Sequence, residues 1–325
     1  MNFIILKTRS GQGFSRNDMP MLIAFIVHGQ TYGKYKLLQK IHDVFGMEFN
    51  IIVKETTQSL NAGMITGEVI DQGTDYLIAV GGDGTVNEVV NAYLDSGTKK
   101  EIPIGIIPVG RGNDFVKSIG INKDFTNLLQ AIQKNRTSTV DVGWITFRSA
   151  DPLPDLKQKP VSRYFINIAD IGIGGLATQM VRTSPKFLWP NLTYAWAIFK
   201  SLLTYSVEKV SVTDPEWKYQ GSVMSVCMAN GKYFGSGLCI APEAELNDGI
   251  AEIVIIGNVG IWDYLSKIPM LKNGKKIKHP EILYKKSKSC TIESQTPMPI
   301  DMDGEFVGYT PLKMVMMQNI VKILV

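Results

Sequence analysis

Residues 76–94, YLIAVGGDGTVNEVVNAYL, constrain the fold more than any other stretch of the chain. Residues 76–80 form an apolar run of the length of a strand buried on both faces, and Val86, Val89, Val90 and Tyr93 recur with helical period directly after it. A step this abrupt from buried strand to helix predicts one unit of a parallel α/β sheet. Between the two lies Gly81-Gly82-Asp83-Gly84-Thr85, whose glycines let the backbone turn tightly and approach a ligand. Thr85 and Glu88 have the spacing of a capping box that starts the helix. The unpaired N–H groups and positive dipole end of a helix N-terminus favour phosphate. Asp83 beside a phosphate is repulsive unless a cation such as Mg²⁺ lies between them, so the stretch predicts a nucleoside triphosphate site with bound metal. The competing reading is a glycine-rich turn that binds nothing.

The surrounding pattern extends this unit. Strands at Leu22–Val27, residues 50–53, 76–80 and 104–107 alternate with helices at Lys34–Phe45, residues 59–70 and the helix after Thr85, and residues 126–135 close the series. The strand at 104–107 runs into a second glycine loop, Gly110-Arg111-Gly112-Asn113-Asp114. Two glycine loops at the carboxyl ends of successive strands fall together on the rim of a parallel sheet, where ligands of such sheets bind. Residues 1–20 read as an extension with one strand at 3–6. After Thr139 the texture changes to short strands separated by turns, at 140–147, 163–169, 207–213, 222–229, 250–256, 289–293, 312–317 and 320–325, which predicts a largely antiparallel, sandwich-like or barrel-like second domain. Two helices interrupt it, at residues 188–205 and Ile261–Lys272, the first with Leu188, Leu192, Trp196, Phe199 and Leu203 on one face. The division expected is therefore residues 1–139 and 140–317.

Composition narrows the function. The three cysteines stand in no CxxC pair, which argues against a disulfide framework or zinc site and suits a reducing, cytoplasmic setting. The longest apolar run, residues 21–27, is far short of the ~20 residues a membrane span needs. A net charge of +4 is too small to argue for nucleic acid, but residues 272–288 hold seven lysines and one glutamate. No GxSxG, HExxH or Walker A motif is present. Acid-glycine pairs recur at Asp248-Gly249 and Asp303-Gly304-Glu305; each describes a hairpin turn, yet phosphoryl transfer also needs carboxylates for metal and proton. Asp248, Asp303 and Glu305 are the candidates.

Taken in order, GGDGTVNEVVN at 81–91, PVGRGNDF at 108–115, DVG at 141–143, FINIADIGIGG at 165–175, ANGKYFGSGLCIAPEAELNDG at 229–249 and DGE at 303–305 resemble the diacylglycerol kinase catalytic-domain family. The resemblance is greatest to its soluble bacterial lipid kinases, relatives of sphingosine and ceramide kinases, and runs from Leu22 to the last strand. It implies an NAD-kinase-like α/β nucleotide domain followed by a largely antiparallel β-sandwich domain, with residues 318–325 able to return to the first and catalysis in a cleft. Gly81, Gly82, Asp83, Gly84, Thr85, Val86 and Asn87 would hold the ATP phosphates, Asp83 acting through Mg²⁺, with Gly110, Arg111, Gly112, Asn113 and Asp114 as the second loop and Asp141 extending the acidic network. His28 and Thr31 occupy the first loop, where the family usually has Asn-Pro-x-Ser-Gly or Asn-Gly-x-Ser, and Thr56 resembles a nucleotide-contacting threonine, with adjacent Thr57 the alternative. Asp248 resembles the ligand of a structural Mg²⁺, completed by the carbonyls of Glu245 and Ile250, and Glu305 matches the proton acceptor. The implied activity is transfer of the ATP γ-phosphate to a lipid hydroxyl such as that of diacylglycerol, with peripheral membrane contact and a homodimer both compatible. An NAD-kinase-like small-molecule kinase and an inactive nucleotide- or lipid-binding regulator are the alternatives.

Overall fold

A computed structural model describes residues 3–5, 21–57, 61–110, 112–121, 124–149, 160–183, 200–201 and 205–325. The chain divides into two compact units, the first made of residues 1–116, 120–140 and 321–325, the second of residues 117–119 and 141–320.

The first unit is the parallel sheet. β1 (Phe3–Ile5), β2 (Leu22–Val27), β3 (Asn50–Glu55), β4 (Tyr76–Gly81) and β5 (Ile104–Pro108) lie in the order β1-β3-β2-β4-β5, antiparallel only at β1. Every residue of β4 is buried, as a strand covered on both faces requires. Helices α1 (Lys34–Phe45) and α5 (Phe125–Gln133) pack Leu38, Ile41, Phe45, Leu128 and Ile132 against Phe25, Val53 and Ile78 in one core cluster. α2 (Ala62–Asp71) and α3 (Asp83–Asp95) pack on each other and bury Ile65, Val69, Val86 and Val90. The capping box expected at Thr85 and Glu88 does not form. α3 starts three residues earlier, at Asp83 with Gly82 as N-cap, and Glu88 instead accepts the Ala62 N–H at 2.7 Å, at the start of α2. A partner on another helix thus replaces the local one.

Antiparallel strands build the second unit: β6 (Thr137–Ser149), β7 (Pro160–Phe165), β8 (Ile168–Gly172), β9 (Glu208–Thr213), β10 (Lys218–Val223), β11 (Ser225–Ala229), β12 (Tyr233–Phe234), β13 (Leu238–Cys239), β14 (Ala251–Ile256), β15 (Ile282–Ser287), β16 (Ser289–Ser294), β17 (Pro299–Met302) and β18 (Glu305–Leu324). Its described helices are α4, residues Asp114–Ile119, whose last turn belongs here, α6 (Ile173–Thr183) and α7 (Ile261–Lys272). One layer runs β17-β8-β11-β14-β15 and a second runs β16-β9-β10, with β18 pairing into both. Strand alternation sorts the side chains: Val226, Met228, Ile253 and Ile255 enter the central core with Val212, Ile292 and Met314, while Cys227, Ala229, Val254 and Ile256 point to a second cluster with Leu271 of α7. Residues 312–317 and 320–325, expected as two strands, are one. Asn319 adopts φ 57, yet pairing continues because the Asp141 carboxylate takes its N–H at 2.7 Å. The helix expected at residues 188–205 falls, except for 200, 201 and 205, outside the described residues. Among the described residues no helix is long and apolar enough to cross a membrane.

Candidate active site

In the first unit the strand ends converge on one rim. β4 ends at Gly81 and α3 begins at Asp83, with extended Gly82 as N-cap and no side chain capping the first turn, so the helix presents backbone donors and its positive dipole end to the loop. The second glycine loop is pressed against the first. Val109 and Gly110 both donate N–H to the Gly81 carbonyl, at 3.1 and 3.2 Å, and a methyl on Gly110 would lie 2.4 Å from the Gly82 Cα. Only glycine allows that approach. Asn113, at φ 50, closes the loop by donating Nδ2–H to the Gly110 carbonyl at 2.6 Å.

Asp83 stands where the loops meet. Its Oδ1 accepts the Phe115 N–H at 3.1 Å and its Oδ2 the Asp114 N–H at 3.2 Å, so it caps α4 from another element. Burial pushes its carboxyl above the ordinary 3.8 and the Asp114 charge adds to this, against the backbone N–H groups of Phe115, Asp114 and Asp83 itself. A half-buried carboxylate with an acidic neighbour, at a helix N-terminus whose N-cap is a glycine, fits a divalent cation together with phosphate. Thr85 is folded against Gly81, Val86 and Asn87 are buried, and Asn87 Oδ1 accepts from Asn91 Nδ2 at 3.1 Å. On the neighbouring strands His28 donates its N–H to the Val80 carbonyl at 2.9 Å, Thr31 bonds back to the His28 carbonyl at 2.7 Å, and Thr56 Oγ1 accepts the Gly29 N–H at 2.9 Å. Lys34, which no motif singles out, reaches the Gly29 carbonyl at 3.2 Å and Glu55 at 2.7 Å. Its only signal in the sequence is its place just after that loop. Arg111 lies outside the described residues.

The second unit holds the other candidates in two places. Asp141 accepts the Gly249 N–H on Oδ2 at 2.6 Å and the Asn319 N–H on Oδ1 at 2.7 Å, and its own N–H goes to the Leu246 carbonyl at 2.7 Å. It thereby ties down the loop that carries Glu245, Asp248 and Ile250. Asp248 Oδ1 accepts the Ile250 N–H at 3.0 Å, an Asx turn that leaves Oδ2 without a hydrogen bond among the described residues. Burial raises the Asp141 carboxyl, and the nearby Asp248 charge adds to it. Among the described residues no group of three or more His, Cys, Asp or Glu side chains is placed to hold a metal, so a cation at this loop would draw on carbonyls as well.

The other place is the β17–β18 hairpin. Asp303 and Gly304, at φ 51 and 89, form its two-residue turn, as Asp-Gly does in type I′ hairpins. The Asp303 carboxylate accepts the N–H groups of Ile166, Asn167 and Ile168 at 2.8, 3.0 and 2.9 Å. Glu305 is paired with Arg163 Nη2 at 2.8 Å, and both line a cavity of about 500 Å³. Behind the hairpin Asp301 faces Asp170 in register across β17 and β8. Asp170 accepts hydrogen bonds from Ser225 and Cys227, and burial pushes it up to about 6. Burial and then the Asp170 charge push Asp301 well up. No sequence-local signal marks this pair, since alternation alone would place apolar residues there.

Comparison with known proteins matches these features to one family. The family description "Diacylglycerol kinase catalytic domain" fits residues 23–145, and "YegS C-terminal NAD kinase beta sandwich-like domain" fits residues 167–325. The chain belongs to the diacylglycerol kinase catalytic-domain family. Family members named Diacylglycerol kinase from Staphylococcus saprophyticus and Staphylococcus carnosus are 27% and 28% identical to it, each match covering 89% of this chain and 90% of the relative. A crystal structure of a diacylglycerol kinase from Bacillus anthracis str. Sterne superposes with a TM-score of 0.67 at 20% identity over 94% of this chain and 96% of that one, which supports the shared fold. The family is one of kinases.

Proposed function

We propose that this chain is a Mg²⁺- and ATP-dependent lipid kinase that transfers the γ-phosphate to a hydroxyl of a lipid such as diacylglycerol. The observation that carries the reading is Asp83, half-buried between two glycine loops in backbone contact and at the N-terminus of a helix whose N-cap is a glycine. Residues 81–87 and 110–114 would cradle the phosphates through backbone N–H groups, and His28, Thr31 and Thr56 stand on the same rim for the nucleoside. Asp83 and Asp114 would hold Mg²⁺, which supplies neutralisation of phosphate charge when bound. Asp248, with the Glu245 and Ile250 carbonyls, would hold a second, structural ion. Glu305 is the proton acceptor: the acceptor's O–H bond breaks toward its carboxylate, the oxygen forms a bond to the γ-phosphorus, and the bond from that phosphorus to the ADP oxygen breaks. Asp303, spent on three backbone donors, is left to fix the hairpin that carries Glu305.

Turnover with γ-labelled ATP tests this directly, using diacylglycerol, monoacylglycerol and a sphingoid base in mixed micelles with NAD alongside. Labelled lipid that depends on Mg²⁺ is the expected product. Labelled NADP, or no product from the folded protein, overturns the reading.

A further inference from the structure

The chemistry of Glu305 depends on where its carboxylate points, and one residue holds it. Arg163 lies on β7, a strand that pairs only with β6 among the described residues, and its Nη2 donates to Glu305 Oε2 at 2.8 Å. The two side chains are 27% and 38% exposed, and an ion pair this open adds little to stability. Stability therefore does not account for two long side chains from distant parts of the chain being ordered together. The arrangement does account for a carboxylate held by one oxygen. Oε2 is occupied by the guanidinium, while Oε1 accepts no hydrogen bond among the described residues, and the cavity that both residues line has apolar walls at Phe147, Val161, Val181 and Phe306. The neighbouring acids cannot serve in the same way, because Asp303 is taken up by three N–H groups and Asp301 is buried behind the hairpin.

We propose that Arg163 is the positioning residue of this site, holding Glu305 by Oε2 so that Oε1 is presented to the hydroxyl of a lipid acceptor whose first apolar carbons lie in the cavity. The inference rests on the kinase reading above. The guanidinium suits this role because it stays protonated throughout and its planar fork fixes direction as well as charge, which a lysine ammonium does not.

The test is a cycle of Arg163→Ala, Arg163→Lys, Glu305→Gln and the Arg163→Ala/Glu305→Gln double variant, assayed with labelled ATP and micellar diacylglycerol. Arg163→Ala is expected to lower kcat about 10- to 100-fold with KM for ATP within about twofold of the wild type, since the removed interaction serves the transition state rather than nucleotide binding. Arg163→Lys should keep an intermediate rate. Guanidinium chloride at tens of millimolar should restore part of the Arg163→Ala rate, and urea at the same concentration should not. On the Glu305→Gln background the alanine substitution should cost less than about threefold, because two residues acting through one group are not additive. An active wild type with Arg163→Ala turning over at the same rate overturns the inference alone, as does an equal loss on both backgrounds. A wild type that labels no lipid overturns the kinase reading and this role with it.

Discussion

Removing the carboxylate of Asp303 should unfold the second unit at markedly lower denaturant, and the geometry sets the scale. Three buried N–H groups, from Ile166, Asn167 and Ile168, donate to it at 2.8–3.0 Å, and a hydrogen bond to a charged group contributes about 1.5–3 kcal/mol. Asp303→Asn is the cleaner substitution, because asparagine tolerates the left-handed φ of 51 that alanine would adopt only with strain. Its amide oxygen can replace Oδ1, which serves Asn167 and Ile168, but its NH₂ then meets the Ile166 N–H donor to donor. One bond is lost and two fall from charged to neutral strength, a total of about 3–4 kcal/mol. Asp303→Ala strands all three donors and adds about 1 kcal/mol of backbone strain, so about 5 kcal/mol or more is expected. The described tryptophans, Trp144, Trp217 and Trp262, belong to the second unit, so their emission follows urea unfolding of that unit. With a slope of about 2 kcal/mol per molar urea, the asparagine variant should move the midpoint down by about 1.5–2 M. A midpoint within about 0.3 M of the wild type would refute the assignment of these bonds as a stabilising anchor.

Other expectations concern charge and ligands. Asp83→Asn keeps the shape of the loop junction but removes its charge, so turnover should fall about 10²-fold or more while the fold, followed by circular dichroism, persists; wild-type turnover counts against the site. Asp248→Ala should reduce the rise in melting temperature produced by Mg²⁺, a ligand that binds the folded state alone, leaving only what the Asp83 site contributes; an unchanged Mg²⁺ response removes Asp248 from the metal site. Asp170, held at about 6 by burial rather than at 3.8, binds its proton more tightly folded than unfolded. Its contribution is therefore present in full below pH ~4 and lost as pH rises through ~6, about 3 kcal/mol in all, so wild type should lose stability relative to Asp170→Asn over that window; parallel pH curves would show that the carboxyl is not perturbed. Lys276 is committed to Glu243 at 2.9 Å and lies over Tyr284, so a membrane-facing role for the lysine run would fall to Lys275, Lys278 and Lys285. Replacing these three with glutamine should weaken sedimentation with anionic vesicles at low salt, and equal sedimentation would mark the run as a solvated face.

The parts of the fold that were legible in the sequence are those built from local physics. Apolar runs of strand length, helical periods and glycine punctuation placed the parallel sheet, and the Asp303-Gly304 turn followed from its two residues alone. What escaped depends on partners distant in sequence. Gln318-Asn319 looks like a break between two strands, yet β18 runs through it with the Asn319 N–H taken by the distant Asp141 carboxylate. Glu88 satisfied the local spacing of a capping box yet bonds to another helix. Asp83 could be singled out from its loop, whereas the Asp114 and Phe115 N–H groups that fix its direction could not. Arg163 carried no motif, and its pairing with Glu305 is a tertiary fact.

The assignment of residues 321–325 to the first unit bears on how the chain is made. Ile323 is the parallel partner of Ile104 on β5, so that sheet acquires its last strand only after the whole second unit has been synthesised. During translation the β5 edge is therefore an unpaired row of backbone donors and acceptors beside a largely formed α/β core, the kind of edge that recruits other chains. A ribosome-bound intermediate of this kinase is thus most exposed to mispairing in the interval after residue 140 emerges and before Val321 does, and a holdase acting on it would protect β5.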